Sequence, residues 1–437
     1  MLNNLVIRPV KPNEIEAVEL CINRSFSKDP DNPCRQDFFQ QFDYVPRQRE
    51  EFFWGAFLDN KPVAGLLLIP FHIMLWYCPL HLVCMTGVGT DPKYRHQGIA
   101  KHLINHVHSA IQNEGFDGIV LHSAADELYQ KLGYETSFSE WNLRISWTYS
   151  AKSTLRTLME KKVSTGKYVE FFMEHELTES VSEEMYWVRH RSTQFVKRPI
   201  RCIRNPIHFH QKLLQHLNND AILATIYSGR DIRAYALARY DGNNLRIFEQ
   251  YSLMNDPDDF LLLWQALLEE YNSPSLVLEI KTYPTDTEVF ALGKKFKCSV
   301  ERNLDTKNMA ILFHPGVILP WMQTTFCQRV ANSTMVDLQD KFLLQIENSR
   351  FLFRITREIV SVNEIDLSPT SIDFTNLPIF QLTKKQWIAL TFGYKTIEDI
   401  FDEIIPIGKD AEYEMYKPIL NILYPDLNPV WDYFEPL

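Results

Sequence analysis

The sequence predicts an α+β chain built on mixed α/β sheets, in which one strand and helix series is used twice and a different α+β unit closes the chain. Three observations carry this. Over the first third, apolar residues alternate between two-residue and helical periodicity in the order β-α-β-β-β-α-β-α-β. A weaker copy of that order returns after residue 165. From about Leu319 the pattern changes to long strands followed by helices. At 437 residues the chain is too long for one core, and about 100–200 residues per domain fits three domains, over 1–150, 151–318 and 319–437.

Residues 4–10 alternate as a strand, and 12–25 place Ile15, Val18 and Ile22 on one helical face. Two β-rich runs, 51–59 and 62–70, form a hairpin turning at Asn60-Lys61, and 80–90 is a further strand. A polar loop then leads to a helix over 99–112, an apolar strand over 118–122, a short helix over 126–132 and a strand after Gly133. In the second copy, 221–227 and 232–240 make a hairpin turning at Ser228-Gly229-Arg230, and 245–253 is the next strand. Helix 258–271, strand 276–281 and helix 287–296 complete that series, which has Met254-Asn255-Asp256-Pro257-Asp258 where the first has a glycine-containing loop. The last third holds strands over 341–346 and 351–355 and helices over 383–391 and 397–405. Its tail, 424–437, carries Trp431, Tyr433 and Phe434, enough aromatic surface to dock.

A composition of 45% hydrophobic and 23% charged residues is that of a globular protein. The longest apolar run, 66–77, falls short of the roughly 20 residues that span a bilayer, so no membrane helix is expected. The N-terminus lacks the basic and long apolar segments of a secretory signal, and a cytoplasmic location is the expectation. A formal net charge of −10 disfavours contact with a phosphate backbone, which argues against nucleic acid, and it attracts small cations. Seven scattered cysteines without a Cys-x-x-Cys pair fit neither zinc nor a disulfide framework and read as reduced core thiols. His102 and His106 share i,i+4 spacing, but no carboxylate motif completes a metal site. No metal is expected, and these two and His108 read as helix-surface histidines.

Segment 87–104 reads GVGTDPKYRHQGIAKHLI: strand, polar turn, Arg-x-x-Gly-x-Ala, then an amphipathic helix. Gly98 lets backbone approach an anion closely, and the outward N–H groups at the helix start complete a pyrophosphate cradle to which Arg95 adds a charged donor. This arrangement resembles the pyrophosphate loop of the GNAT superfamily of N-acetyltransferases, with Arg95, Gly98 and Ala100 in its three defining places. About thirty residues on, IVLHS at 119–123 and YQKLGY at 129–134 resemble the family's next strand and its following signature. The resemblance implies acetyl-coenzyme A as co-substrate. Its pyrophosphate would lie on Arg95, His96, Gln97, Gly98, Ile99 and Ala100, and its pantetheine arm along the backbone of Val88, Gly89 and Thr90, with Ser123 among the contacts. Tyr129 takes the position of the acid that protonates the departing thiolate.

The acceptor amine must be neutral to attack, yet a free alkylamine has a pKa near ~10, so a base is required. Segment 29–51 supplies Asp29, Asp31, Asp37, Asp43, Glu50 and Glu51 with Phe38, Phe39, Phe42 and Tyr44 interleaved. With Phe26 and Trp54 on its flanks, it suits a pocket for a cationic acceptor, and it equally suits a solvated loop. Over the whole chain, tandem GNAT-like folds followed by a sterol-carrier-protein-like domain, seen in 372–382 and in LTFGY at 390–394, resemble the enhanced intracellular survival (Eis) family. That resemblance implies an N-acetyltransferase acting on a small cationic amine (aminoglycoside, polyamine or lysine-like), a homo-oligomer, and the C-terminal carboxylate of Leu437 as base. The chain departs from the family in Arg95-His96-Gln97, in Asp126-Glu127-Leu128 before Tyr129, and in its Pro436-Leu437 ending, which bear on the acceptor and the proton path. The competing reading is a non-catalytic acyl-coenzyme A sensor or apolar-ligand carrier.

Overall fold

The computed structural model describes residues 4–34, 52–138, 140–160, 167–192, 194–195, 198, 200–203, 205–271, 276–283, 285–303, 307–335, 339–357, 359–365, 377–407 and 413–425. The chain divides into two units, one holding residues 1–138 and 307–429 and the other 139–306.

In the first unit, β1 (Leu5–Pro9) leads into α1 (Ile15–Phe26), which buries Val18, Cys21 and Ile22. Strands β2 (Phe53–Leu58) and β3 (Lys61–Leu75) form the hairpin one residue earlier than expected, at Asp59-Asn60, where both residues have left-handed φ of 48° and 62°. The apolar run 66–77 is the continuation of β3. It passes through Pro70, paired with Val83, to a tight turn at Trp76-Tyr77 and returns as β4 (Cys78–Thr90). These strands bury both faces, so they read as unbroken apolar runs whose ends alternation does not mark. Helix α2 (Ile99–Asn113), β5 (Gly118–His122), α3 (Asp126–Lys131) and β6 (Glu135–Thr136) follow as expected. The parallel pairing of β4 with β5 covers only Leu82–Cys84 against Gly118–Val120, so both strands run on past it and splay. On the other face, α1 packs close to the sheet: a Cβ on Gly65 would lie 2.5 Å from Val18 Cγ1, and one on Gly89 would lie 2.3 Å from Ser25 Oγ.

Strand β7 (Glu140–Ser146) belongs to the second unit's sheet, antiparallel to two of its strands, whereas the expected boundary at 150 leaves it with the first domain. A strand's own pattern says that it is a strand, and its partners lie far away in sequence. The unit continues through α4 (Tyr149–Glu160), β8 (Lys167–Phe172), α5 (Glu179–Arg191), β9 (Ile200–Ile203) and α6 (Pro206–Asn218). Next come β10 (Ala221–Ser228), β11 (Asp231–Asp241), β12 (Asn244–Ser252), α7 (Pro257–Glu270), β13 (Val277–Thr282), α8 (Thr287–Lys295) and β14 (Ser299–Asn303). The sheet order is β8-β10-β11-β12-β13-β7-β14, with β12 and β13 parallel. One core holds Leu143, Ile247, Trp264 and Leu278, and another holds Met185, Phe209, Tyr235 and Tyr251.

The chain then returns to the first unit. Strand β15 (Asn308–Leu312) lies antiparallel to β5 and β6, giving the order β1-β2-β3-β4-β5-β15-β6. The two sheets thus share a succession: four strands, a parallel fifth, a sixth from elsewhere in the chain, and a seventh. Helices α9 (Pro315–Trp321) and α10 (Gln323–Ala331) precede a sheet of β16 (Asp340–Ile346), β17 (Ser349–Ile355), β18 (Val360–Ile365) and β19 (Ile379–Leu382). Helix α11 (Lys384–Phe392) starts on a Thr383/Gln386 capping box and ends on Gly393, whose φ of 72° suits the left-handed cap. The expected helix over 397–405 stops early: α12 (Ile397–Ile400) gives way to a 3-10 turn and to β20 (Ile405–Ile407), and α13 (Tyr413–Leu423) follows.

Candidate active site

Where β4 outruns β5, a cavity of about 800 Å³ opens. Its walls are Val88, Gly89 and Thr90 of β4, residues 94–96 and 98–101 at the start of α2, Ser25 and Phe26 ending α1, and 124–128 leading into α3. Register slips between Gly65 and Leu67 of β3, with Gly87 at φ 62°, so β4 bulges just before the stretch that faces the cavity. Helix α2 begins on Gly98 at φ 78°, and no side chain caps its first turn, which leaves N–H groups for an external acceptor. A Cβ at Gly98 would meet only His102 Cδ2, at 4.0 Å, so the backbone angle selects glycine there and crowding does not.

Of the residues singled out from sequence, Val88, Gly89, Thr90, Arg95, His96, Gly98, Ile99 and Ala100 line this one cavity. The close approach that glycine permits at position 89 is taken up by α1, which a side chain there would strike. Arg95 holds two elements in place. Its Nη2 donates to Ser25 O at 2.6 Å and its Nε to Thr90 O at 3.4 Å, tying the end of α1 to the end of β4. Gln97, Ser123 and Tyr129 lie outside the lining. Gln97 is exposed, and buried Ser123 accepts from Ala125 N at 3.0 Å and donates its own N–H to Lys307 O at 2.8 Å. Lys307, Lys131 and Lys101 add positive charge around the walls, and Asp126 and Glu127 oppose it. Lys307 is 184 positions downstream of Ser123, and no local motif marks it.

Tyr129 is buried, 7% exposed, on α3 next to the lining residue Leu128, and burial pushes its pKa up to about 12. Its ring stands edge-on to Tyr134, with centroids 5.6 Å apart, and Tyr134 OH is hydrogen-bonded to His108 Nε2 at 2.8 Å. His108 therefore departs from the helix-surface reading: burial, helped by the charge of Lys384, pulls its pKa down to about 4. His102 and His106 are exposed as expected. No group of metal-ligating side chains occurs among the described residues. Four of the cysteines are buried, while Cys34 is exposed and Cys298 and Cys327 are half-buried, so the core reading fails for these three. Within the acidic segment, Asp29 and Asp31 form an exposed turn, Asp31 N donating to Asp29 Oδ1 at 3.2 Å. Asp37, Asp43, Glu50, Glu51, Phe38, Phe39, Phe42 and Tyr44 lie outside the described residues, as does Leu437. No described helix is long and apolar enough to cross a membrane.

Comparison with known proteins identifies this region. Residues 6–137 match the acetyltransferase (GNAT) domain family. No curated protein sequence matches the chain. Among solved structures, a GCN5-related N-acetyltransferase from Kribbella flavida is 14% identical, with a TM-score of 0.67 over 98% of this chain and 97% of that one. Another from Anabaena variabilis is 14% identical, with a TM-score of 0.66 over 98% of each chain. Eis1 from Mycobacterium abscessus is 12% identical, with a TM-score of 0.61 over 97% of this chain and 98% of that one. Identities this low establish likeness of fold alone. The match over residues 6–137 spans the glycine-started helix and the splayed strands, so the cavity lies within the region similar to the acetyltransferase (GNAT) domain family.

Proposed function

We propose that the protein is an acetyl-coenzyme A-dependent N-acetyltransferase that transfers the acetyl group directly to a primary amine of a small cationic acceptor. The observation that carries the reading is the uncapped first turn of α2 on Gly98, at the mouth of the cavity where β4 has lost its β5 partner. The residues fit the coenzyme. Open N–H groups of Ile99 and Ala100 would hold the pyrophosphate, and the backbone of the lining residues Val88, Gly89 and Thr90 would pair with the pantetheine arm. When bound, the coenzyme supplies an activated acyl group on sulfur.

Tyr129 is assigned as the acid. Its raised pKa keeps the phenol protonated at neutral pH, so it can give a proton to the thiolate as the carbon–sulfur bond breaks. The sign is favourable: that proton is lost only as pH climbs towards about 12, so Tyr129 sets no limit on turnover near neutrality. The Tyr134–His108 pair fixes the ring against which Tyr129 packs. The carboxylate of Leu437 is the proposed base for the amine proton. By the Eis resemblance, 139–306 is a second GNAT-like fold without a working loop, and the sheet β16–β20 with its helices is the sterol-carrier-like part.

Calorimetry of acetyl-coenzyme A against the full chain and Gly98→Trp tests the cofactor. Binding lost in the variant is expected, and no binding to the parent refutes the reading. A panel of polyamines, aminoglycosides and lysine derivatives then tests turnover. Tyr129→Phe should lower kcat by about 10²–10⁴-fold with unchanged coenzyme affinity. Binding without turnover on any amine returns the sensor reading to first place.

A further inference from the structure

A second cavity, of about 360 Å³, lies at the opposite end of the β3–β4 hairpin. Trp76 and Tyr77 at the hairpin tip, Thr325, Gln328 and Arg329 of α10 with Asn332 and Ser333 beyond it, and Ile422 and Pro425 at the end of α13 form its walls. The ten strand residues from Cys78 to Gly87, roughly 33 Å at ~3.3 Å each, separate the hairpin tip from Val88, so this is not the coenzyme cleft.

The cavity has an unbalanced charge. Arg329 Nη1 donates to Leu423 O, but its buried Nε and Nη2 have no hydrogen-bond partner, and no carboxylate among the described residues pairs with it. Burial pulls its pKa down to about 10, so it remains a cation at neutral pH. Thr325 Oγ1, on the preceding turn of the same helix and on the same cavity wall, is likewise buried without a partner, and so is the hydroxyl of Tyr424, outside the lining. A buried guanidinium short of partners is expensive, and on the wall of this cavity it describes a place shaped for an anion. Trp76 forms the aromatic wall of the cavity at the hairpin turn. Its left-handed φ of 55° is that of the two-residue hairpin turn, and its ring lies 5.4 Å from the guanidinium carbon.

We propose that this cavity binds a small organic monocarboxylate, its carboxylate on Arg329 and its apolar body against Trp76, Ile422 and Pro425. Nε and Nη2 share one edge of the planar guanidinium, the edge whose two N–H groups match a carboxylate's two oxygens. A single cation with neutral neighbours, Gln328, Asn332 and Ser333, balances one negative charge. A phosphate dianion would be left half-compensated among rings and aliphatic side chains.

The full chain is titrated with benzoate, its neutral analogue benzamide and inorganic phosphate, and read by thermal midpoint and calorimetry. Benzoate should raise the midpoint with the logarithm of its concentration, and benzamide and phosphate should not. Arg329→Met should abolish the benzoate response while folding at least as stably as the parent without ligand, since it removes a buried unpaired charge. Arg329→Lys keeps the charge without the planar fork and should bind benzoate about tenfold or more weakly, which decides the matter even if Arg329→Met fails to fold. No benzoate response in the parent, or an equal response in either variant, overturns the proposal. A response to phosphate in place of benzoate overturns the ligand class. Because no readout involves acetyl transfer, these results stand apart from the fate of the acetyltransferase reading.

Discussion

The two units start the helix after their fourth sheet strand in opposite ways. After β4, α2 opens on Gly98 with no side chain on its first turn and with basic residues around it. After β12, α7 opens on Asp256, whose carboxylate accepts from Asp258 N at 3.0 Å, followed by Pro257, which has no N–H to offer. Behind them, Asp259 is fully buried and accepts from Lys167 Nζ and from Ser252 Oγ, both at 2.6 Å. Both helices carry the same partial positive charge at this end. In the second unit the chain answers it with its own carboxylates, and in the first it leaves the answer to an outside anion. On one sheet succession, the proposed coenzyme site and its counterpart differ in who satisfies those N–H groups.

The largest effect should come from emptying the second unit's self-made answer. Burial pulls the Lys167 pKa down, and its hydrogen bonds to Asp259 and Asp256 more than reverse this, so Lys167 sits raised overall. Asp259→Ala leaves that ammonium with Asp256 alone and takes the acceptor from the Ser252 hydroxyl, for an expected loss of about 3–4 kcal/mol in denaturant unfolding. A loss below about 1 kcal/mol would mean that the cluster is a solvated ornament, and the contrast between the helices would lose its structural side.

Next in size is the reciprocal change, giving α2 the chemistry of α7. Gly98→Asp places a carboxylate where the pyrophosphate would lie and should weaken acetyl-coenzyme A about 100-fold, nearly 3 kcal/mol, by calorimetry. Gly98→Asn separates charge from backbone: asparagine tolerates the left-handed angle, so its affinity should stay within about threefold of the parent. Equal losses in both variants would make backbone strain, and not charge, the quantity that distinguishes the two helices.

What sequence could reveal follows the same division between local and distant causes. The loop around Gly98, helix α2 and strand β5 at 118–122 were legible because glycine angles, helix periodicity and short apolar runs are written locally. The crossing of β7 and β15 into sheets built mainly from other segments was not, because nothing in either strand names a partner more than a hundred residues away. Nor could Arg95 be read as a tie between Ser25 O and Thr90 O, since a motif records the residue and not where its donors go. Lys307 was missed for that reason too: it reaches the cavity through β15.

Gly89 sharpens the comparison on its structural side. A methyl group there would meet Ser25 Oγ at 2.3 Å and the Ile22 backbone at 3.1 Å, so α1 must move or the sheet must open. Gly89→Ala should cost about 2 kcal/mol, and Ser25→Ala in the same chain should restore part of it, because the nearest clash is with the serine hydroxyl. Full additivity of the two changes would show that α1 yields as a body, and the coenzyme cleft would then be softer than its glycines imply.

The smallest expected effect is the most direct challenge to the contrast. Asp256→Ala removes the cap of α7 and one of the two carboxylates on Lys167, while the closer contact, to Asp259 at 2.6 Å, remains. Loss of a helix cap of this kind costs about 1 kcal/mol, so the unfolding midpoint should move by only a few degrees. The variant should still bind no acetyl-coenzyme A in the second unit, which Gly98→Trp in the same chain makes measurable by silencing the first. Pro257 withholds an N–H that Ile99 offers at the equivalent place, and Asp258 and Asp259 keep the helix start negative. Coenzyme binding that appeared in this double variant would mean that a single carboxylate held the second site shut, and that the two units differ by one cap and not by a rebuilt helix start.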